Sequence, residues 1–452
     1  MNEFIKCISK SINDASQIDK ALFDQYNVKR GLRNADGSGV LVGLTNVGDV
    51  QGYIPSNGKL IPVEGNLRYR GYSVNQLTKG FQEGGYHGFD EITFLLLTGK
   101  LPRKEELAKF TQYLAEHRDL DERFTNMILA LKGKDLMNML SRSVLILYNL
   151  DKTAEDYTHE NLMHQSLNLI AKLPTIIAYS YHSMMHKYSR ADLVIRHPKL
   201  ELSTAENLLY LLKGDDYTSL EAELLDLAMV LHAEHGGGNN SSFTMRLVSS
   251  SMTDTYSATA AAIGSLKGRL HGGANLKVLE MMENFKANIK NWDDEDEVKE
   301  YLKKILDAKA YDNSGKIYGL GHAVYTLSDP RAIILKAKAT ALAKEKGLDK
   351  EYALYELVER LAPIAFEELK GSKKTISANV DFYSGFVYEA IGVPRELFTP
   401  IFAISRMAGW AAHRLEEVTF SSRRIIRPAY KNVANCEINY TPIDQRKDNE
   451  EC

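Results

Sequence analysis

Residues 351–369 read EYALYELVERLAPIAFEEL. The apolar side chains recur at helical spacing with glutamates between them, and Pro363 marks an expected kink or break. Residues 222–231 follow the same pattern. Leu224, Leu225, Ala228 and Leu231 fall on one apolar face, while Glu221, Glu223 and Asp226 are polar. Residues 90–97 (DEITFLLL), 136–150 and 161–179 are further expected helices. Only 11 prolines in 452 residues leave room for them, so the expected fold class is all-α. The exception is early. Residues 40–74 are rich in Gly, Val and turn pairs, and Ser56-Asn57-Gly58 is a hairpin signal, so a small β element is expected near 40–70. Residues 1–35 are expected to form a helical arm. The acidic run 292–300 (WDDEDEVKE) reads as the first turn of a helix, where acids meet the dipole. The tail 441–452 is polar and expected to fray.

With 44% hydrophobic and 25% charged residues the chain has ordinary globular composition. Its length exceeds the ~250–300 residues at which one core stops growing, which predicts two lobes. Lys and Arg number 56 against 59 Asp and Glu, for a net charge of −3. That balance speaks against an extended basic surface for nucleic acid or membrane, but not against a small anion held by a few arginines. The three cysteines, Cys7, Cys436 and Cys452, form neither a disulfide framework nor a metal spacing. With no secretory signal and no apolar run near ~18 residues, the expected setting is the reducing cytoplasm.

Three groups of residues stand out chemically. Histidines adjoin glycines in His235-Gly236-Gly237-Gly238, His271-Gly272-Gly273 and Gly319-Leu320-Gly321-His322, where backbone can approach a ligand closely. His232, in an apolar helix, reads as packing rather than as a metal partner of His235, because no third ligand or HExxH pattern accompanies it. Asp381 stands in NVDFYSG (379–385). An acid between Val and Phe is either a cap or hydrogen-bonded core acid, or a partly desolvated general base. Among the arginines Arg331, Arg406, Arg414, Arg423, Arg424 and Arg427, Arg406 lies in a largely apolar stretch, 401–410. A buried guanidinium needs an anion, either an internal acid or a bound carboxylate.

Taken in order, LHAEHGGGNNSSFT (231–244), GRLHGGAN (268–275), YGLGHAVYTLSDPR (318–331), NVDFYSG (379–385), SRMAGWAAHR (405–414) and RIIRP (424–428) resemble the citrate synthases, as does LRYRGY (67–72). The resemblance covers residues 40–440. It implies a mainly helical homodimer, with a large domain from 1–271 and 381–452 and a small domain, 272–380, closing over substrate. The implied reaction condenses acetyl-CoA with oxaloacetate and water to citrate and CoA, with no cofactor and no metal. By resemblance Asp381 is the carbon base, and His271 donates a hydrogen bond to the enolate. His271 would be kept neutral by the helix that follows it. His322 polarises the ketone of oxaloacetate and protonates the alkoxide. His235, His322, Arg331 and Arg406 hold oxaloacetate, Arg427 reaches it from the other subunit, and Asn239 is a weaker ligand. The loop 316–321, with Gly319 and Gly321, would receive CoA, with Lys374, Asn379 and Lys316 as contacts. Thr326 stands where some members carry a phosphate-binding arginine. Arg269 and Ala378 replace loop prolines and alter stiffness rather than chemistry.

The nearest rival is 2-methylcitrate synthase, since one methylene in an apolar pocket discriminates by only ~1–3 kcal/mol. A non-catalytic acyl-CoA-binding homologue would be expected to lack one of His271, His322 or Asp381, and all are present. A metal hydrolase built on His232 and His235 would need a further ligand.

Overall fold

The computed structural model describes residues 3, 5–6, 9, 12, 16–56, 59–371, 375–433 and 440–446. Cys7, Cys436, Cys452, Lys374, the Asn57-Gly58 pair and residues 447–452 lie outside them. The chain forms two compact units, one of residues 1–43 and 426–452, the other of residues 44–425. In the smaller unit the expected N-terminal arm contains the short helix Lys20–Gln25, capped by Asp19, and a 3₁₀ turn at Arg30–Leu32. Lys431 lies over the Tyr26 ring at 5.8 Å within that unit.

The larger unit opens with the expected β element. Strands Gly48–Ser56 and Lys59–Tyr69 pair antiparallel from Gly48↔Tyr69 to Ser56↔Lys59, and Tyr72–Ser73 adds a third, short strand. The rest is helical, which makes the all-α class the right one. Caps define many helix starts: Asp135, Thr158, Ser203, Asp254 and Asp294 each accept from the first turn of the helix they precede. The acidic run 292–300 does open a helix, Glu295–Leu306. Of the kink or break expected at Pro363, the break does not occur. The helix Asp349–Lys370 runs through it without a break, as His159–Ser189 runs through Pro174. A proline removes one backbone donor and strains one turn, and helices of 22 and 31 residues held by tertiary packing absorb that.

Phe398–Thr419 is the central helix, buried on nearly all sides. Its small residues let other backbone approach. Gly409 N–H donates to Ala233 O at 3.2 Å, and a Cβ at Gly409 would overlap that carbonyl and the Glu234 carboxylate. Helix Ser219–His232 delivers the residues after it to this contact. The Ala-rich helix Thr255–Lys267 packs on Leu136–Leu150 and Asn240–Ser249 of the same chain. Among the described residues, no helix is long and apolar enough to cross a membrane.

Candidate active site

The site is assembled at element ends. His235 follows helix Ser219–His232, and its turn is completed by Gly236 at φ +78°. His271 ends a turn ahead of helix Ala274–Asn288. Its N–H donates to Gly268 O at 2.8 Å, and Thr399 Oγ1 donates to Gly272 O at 3.0 Å, which ties the turn to the central helix. His322 follows the loop bearing Gly319 and Gly321, at φ +77° and +86°. At Gly319 a side chain would strike Val278 and Phe382.

One backbone device joins His322 to Asp381. Leu320 and Ala378 form an antiparallel bridge. Gly321 N–H donates to Ser377 O at 2.8 Å, Asn379 N–H donates to Gly319 O at 2.9 Å, and the Asn379 amide donates to Gly321 O at 2.9 Å. Asn379, not Asp381, is the cap of helix Val380–Ala390. Its Oδ1 accepts from Asp381 N–H at 3.0 Å, so the Asp381 carboxylate takes no capping role.

The rings cluster. His235 lies edge-on to His322 at 5.1 Å and to Tyr325 at 5.5 Å, and His322 stacks on Tyr325 at 4.7 Å. His322 Nδ1 accepts from Val324 N–H at 3.0 Å and Tyr325 N–H at 3.1 Å, which assigns the ring hydrogen to Nε2. His271 Nε2 lies 3.2 Å from Ser241 Oγ, and that hydroxyl oxygen accepts from Trp410 Nε1 at 3.2 Å. His235 Nε2 is buried with no hydrogen-bond partner among the described residues.

Arg406 is fully enclosed. Its Nε donates to His232 O at 2.6 Å, while Nη1 and Nη2 have no hydrogen-bond partner among the described residues. Burial pulls its pKa down to about 10, against the opposing pull of Glu234. A planar fork with two idle donors, out of water, is built for a carboxylate. Arg331 is differently placed. Asp329, the cap of helix Pro330–Lys346, accepts from its Nε at 3.0 Å and its Nη2 at 2.7 Å. Burial alone would lower the Arg331 pKa, but the Asp329 charge and hydrogen bonds outweigh it and raise it. Asp329 Oδ2 also accepts from Val380 N–H at 3.3 Å, so the same acid ties Arg331 to the Asp381 helix.

Burial, modified by these charges, sets the protonation states. Burial raises Asp381 to about 6, although Arg331 and Arg406 pull it down. Burial lowers His271 to about 4, with the Arg406 charge adding to it. The cause of a neutral imidazole is therefore desolvation and a neighbouring cation, rather than the helix N-terminus alone. His235 is pushed well below the usual range by burial, then by Arg331, His322, Arg406 and His271.

His235, His271, His322, Arg331, Arg406 and Asp381 thus share one electrostatic neighbourhood, with Gly319, Gly321 and Asn379 in its backbone frame. Lys316 is exposed on the same loop. Arg427 is exposed and belongs to the smaller unit. Asn239 caps helix Asn240–Ser249. His232 is packed, stacked on Phe402 at 4.3 Å. Arg414 is structural, donating to Thr255, Ser249 and Thr253. Asp329, Ser241, Trp410 and Tyr325 were not singled out by sequence. In sequence Asp329 carries only the signal of an acid before proline at a helix start, and nothing local distinguishes the others from core or loop residues.

A family model described as "Citrate synthase, C-terminal domain" matches residues 37–429. The citrate synthase of Haloferax volcanii is 35% identical over 406 residues, covering 88% of this chain and 98% of that protein. That of Deinococcus radiodurans is 37% identical over 360 residues, covering 79% and 89%. The crystal structure of citrate synthase from Pyrobaculum aerophilum superposes with a TM-score of 0.74 at 30% identity, covering 90% of this chain and 94% of that one. The citrate synthase of Thermoplasma acidophilum, solved as a ternary complex with carboxymethyl coenzyme A and oxaloacetate, gives a TM-score of 0.75 at 27% identity, covering 93% and 99%. Fold and relatives together define an enzyme, a transferase that moves an acyl group in a carbon–carbon condensation. The chain belongs to the citrate synthase family.

Proposed function

We propose that the protein condenses acetyl-CoA with oxaloacetate and water to give citrate and CoA. The observation that carries the reading is the buried Arg406 fork with two idle donors, set among a base held near pKa 6 and histidines held neutral. Arg406 takes one carboxylate of oxaloacetate, aided by Arg331, His235 and Arg427 from a second copy of the chain. His322 Nε2–H donates to the ketone oxygen and makes its carbon electrophilic. Asp381, ionised at neutral pH, removes a methyl proton from acetyl-CoA. Ser241 has one hydroxyl hydrogen for two acceptors, Asn239 Oδ1 at 2.8 Å and His271 Nε2 at 3.2 Å. Turned toward His271, it leaves the ring hydrogen on Nδ1, ready to donate to the enolate oxygen. The enolate carbon bonds to the ketone carbon, His322 protonates the alkoxide, and water cleaves the thioester to release CoA.

Gly319, Gly321 and Asn379 frame the CoA end, with Lys316 and Lys374 as its outer cations. The chemistry is carried by side chains and needs no cofactor. Residues 272–380 act as a small domain that closes over both substrates, the working unit is a homodimer, and the setting is the cytoplasm. The test is release of CoA thiol from acetyl-CoA with and without oxaloacetate, run beside propionyl-CoA. Release that depends on oxaloacetate and favours acetyl-CoA in kcat/KM is expected. A preference for propionyl-CoA moves the substrate to the longer thioester, and no oxaloacetate-dependent release from either overturns the reading.

A further inference from the structure

Glu234 is a fully enclosed acid beside the oxaloacetate residues that takes no part in the steps above. Its Oε1 accepts from Gly236 N–H and from His413 Nε2–H, the latter at 2.9 Å. The other nitrogen of His413, Nδ1, accepts from Arg246 Nε at 3.0 Å and faces Arg246 Nη2 at 2.7 Å, which assigns the ring hydrogen to Nε2, toward Glu234. Arg246 is held in turn by Glu417 at 3.0 Å, by Glu416, and by Thr45 Oγ1 at 2.9 Å. Room for the carboxylate is made by absent side chains. A Cβ at Gly48 would lie 2.7 Å from Oε1, and one at Gly409 would overlap Oε2. Two glycines from different elements and a histidine backed by a buried arginine therefore converge on one carboxylate.

A buried charge is costly unless it is compensated, so its retention calls for a use. The N–H it grips is that of Gly236, whose φ of +78° makes the turn directly after His235. On its other side His235 meets the rings of His322 and Tyr325, and its Nε2 has no hydrogen-bond partner among the described residues. Glu234 also acts electrostatically on Arg406.

We propose that Glu234 is a positioning residue of the oxaloacetate subsite: its carboxylate, aimed by the Arg246–His413 pair, anchors the Gly236 turn and so points His235 at the substrate. This rests on the proposed function for the identity of the substrate. Glu234 itself touches no substrate. Glu234→Gln retains an acceptor oxygen for the Gly236 N–H, whereas Glu234→Ala removes it. His413→Leu removes the donor that aims the carboxylate.

The test measures oxaloacetate Kd by calorimetry, acetyl-CoA KM by thiol release, and the thermal midpoint, on the full chain. Expected for Glu234→Ala is an oxaloacetate Kd raised at least tenfold with acetyl-CoA KM within twofold of wild type. Glu234→Gln should restore Kd to within about threefold. Should Glu234→Ala not fold, His413→Leu is expected to raise oxaloacetate Kd severalfold with the same acetyl-CoA KM. A lowered thermal midpoint with unchanged oxaloacetate Kd in the folded variants overturns the proposal, because a purely structural acid behaves that way. Because Kd is read without turnover, a wild-type protein that binds oxaloacetate but releases no CoA fails the reaction alone. One that binds no oxaloacetate overturns both.

Discussion

Asp381 meets two opposed demands with one carboxylate. As the proposed carbon base it must be ionised at working pH, and as a half-buried group it is held up to about 6 from 3.8. The protonated acid is the better-tolerated form in the fold. Its stabilising contribution is fully present below pH 3.8 and is lost as pH rises through about 6. The shift corresponds to about 3 kcal/mol, and the partial exposure of Asp381 reduces this to on the order of 1–3 kcal/mol. Asp381→Asn is therefore expected to raise the unfolding midpoint at pH 8 while lowering kcat by roughly 10²–10⁴-fold. A variant that loses activity and stability together contradicts the assignment. In the wild type, kcat/KM should fall as pH drops through about 6, since His271 stays neutral down to about 4. Asp381 and Arg406 were legible in the sequence because a charge inside an apolar run is an anomaly that composition alone exposes. Ser241, Asp329 and Glu234 were not, because each acts through a partner distant in the chain or through a backbone turn, and local pattern carries no trace of either.

The elements place these groups by close backbone approach. Sequence periodicity located the helices, since burial on one face leaves its spacing in the chain. It did not reveal the Leu320–Ala378 bridge that couples His322 to Asp381, because a one-residue pairing has no period. Nor did it decide between a kink and a break at Pro363, where Asp349–Lys370 continues because packing overrides a local penalty. Gly52 and Gly65 of the hairpin behave alike: side chains there would collide with Val324 O and Ser328 O, beside the His322 loop. The clearest test at this scale is Gly409→Ala. Its added methyl would meet Ala233 O and Glu234 Oε2, and is expected to cost about 1–3 kcal/mol in denaturant unfolding. An unchanged midpoint would show that the central helix has slack where none is drawn.

At the scale of the whole molecule, a near-balanced net charge of −3 is compatible with the proposed binding of multiply anionic substrates, because the two arginines at its centre, Arg331 and Arg406, are buried. Arg427 extends the proposal to a second copy of the chain. Mixing Arg427→Ala with His322→Ala chains should restore part of the activity through hybrid dimers. No recovery in confirmed hybrids would confine the site to one chain. The most direct test of the proposed chemistry is carbon NMR of the product formed from methyl-labelled acetyl-CoA and oxaloacetate, with wild type and Asp381→Asn side by side. Label in the methylene of citrate from the wild type, and unreacted acetyl-CoA with the variant, is the expected result. Hydrolysis to labelled acetate without citrate, or citrate formed equally fast by Asp381→Asn, would contradict it.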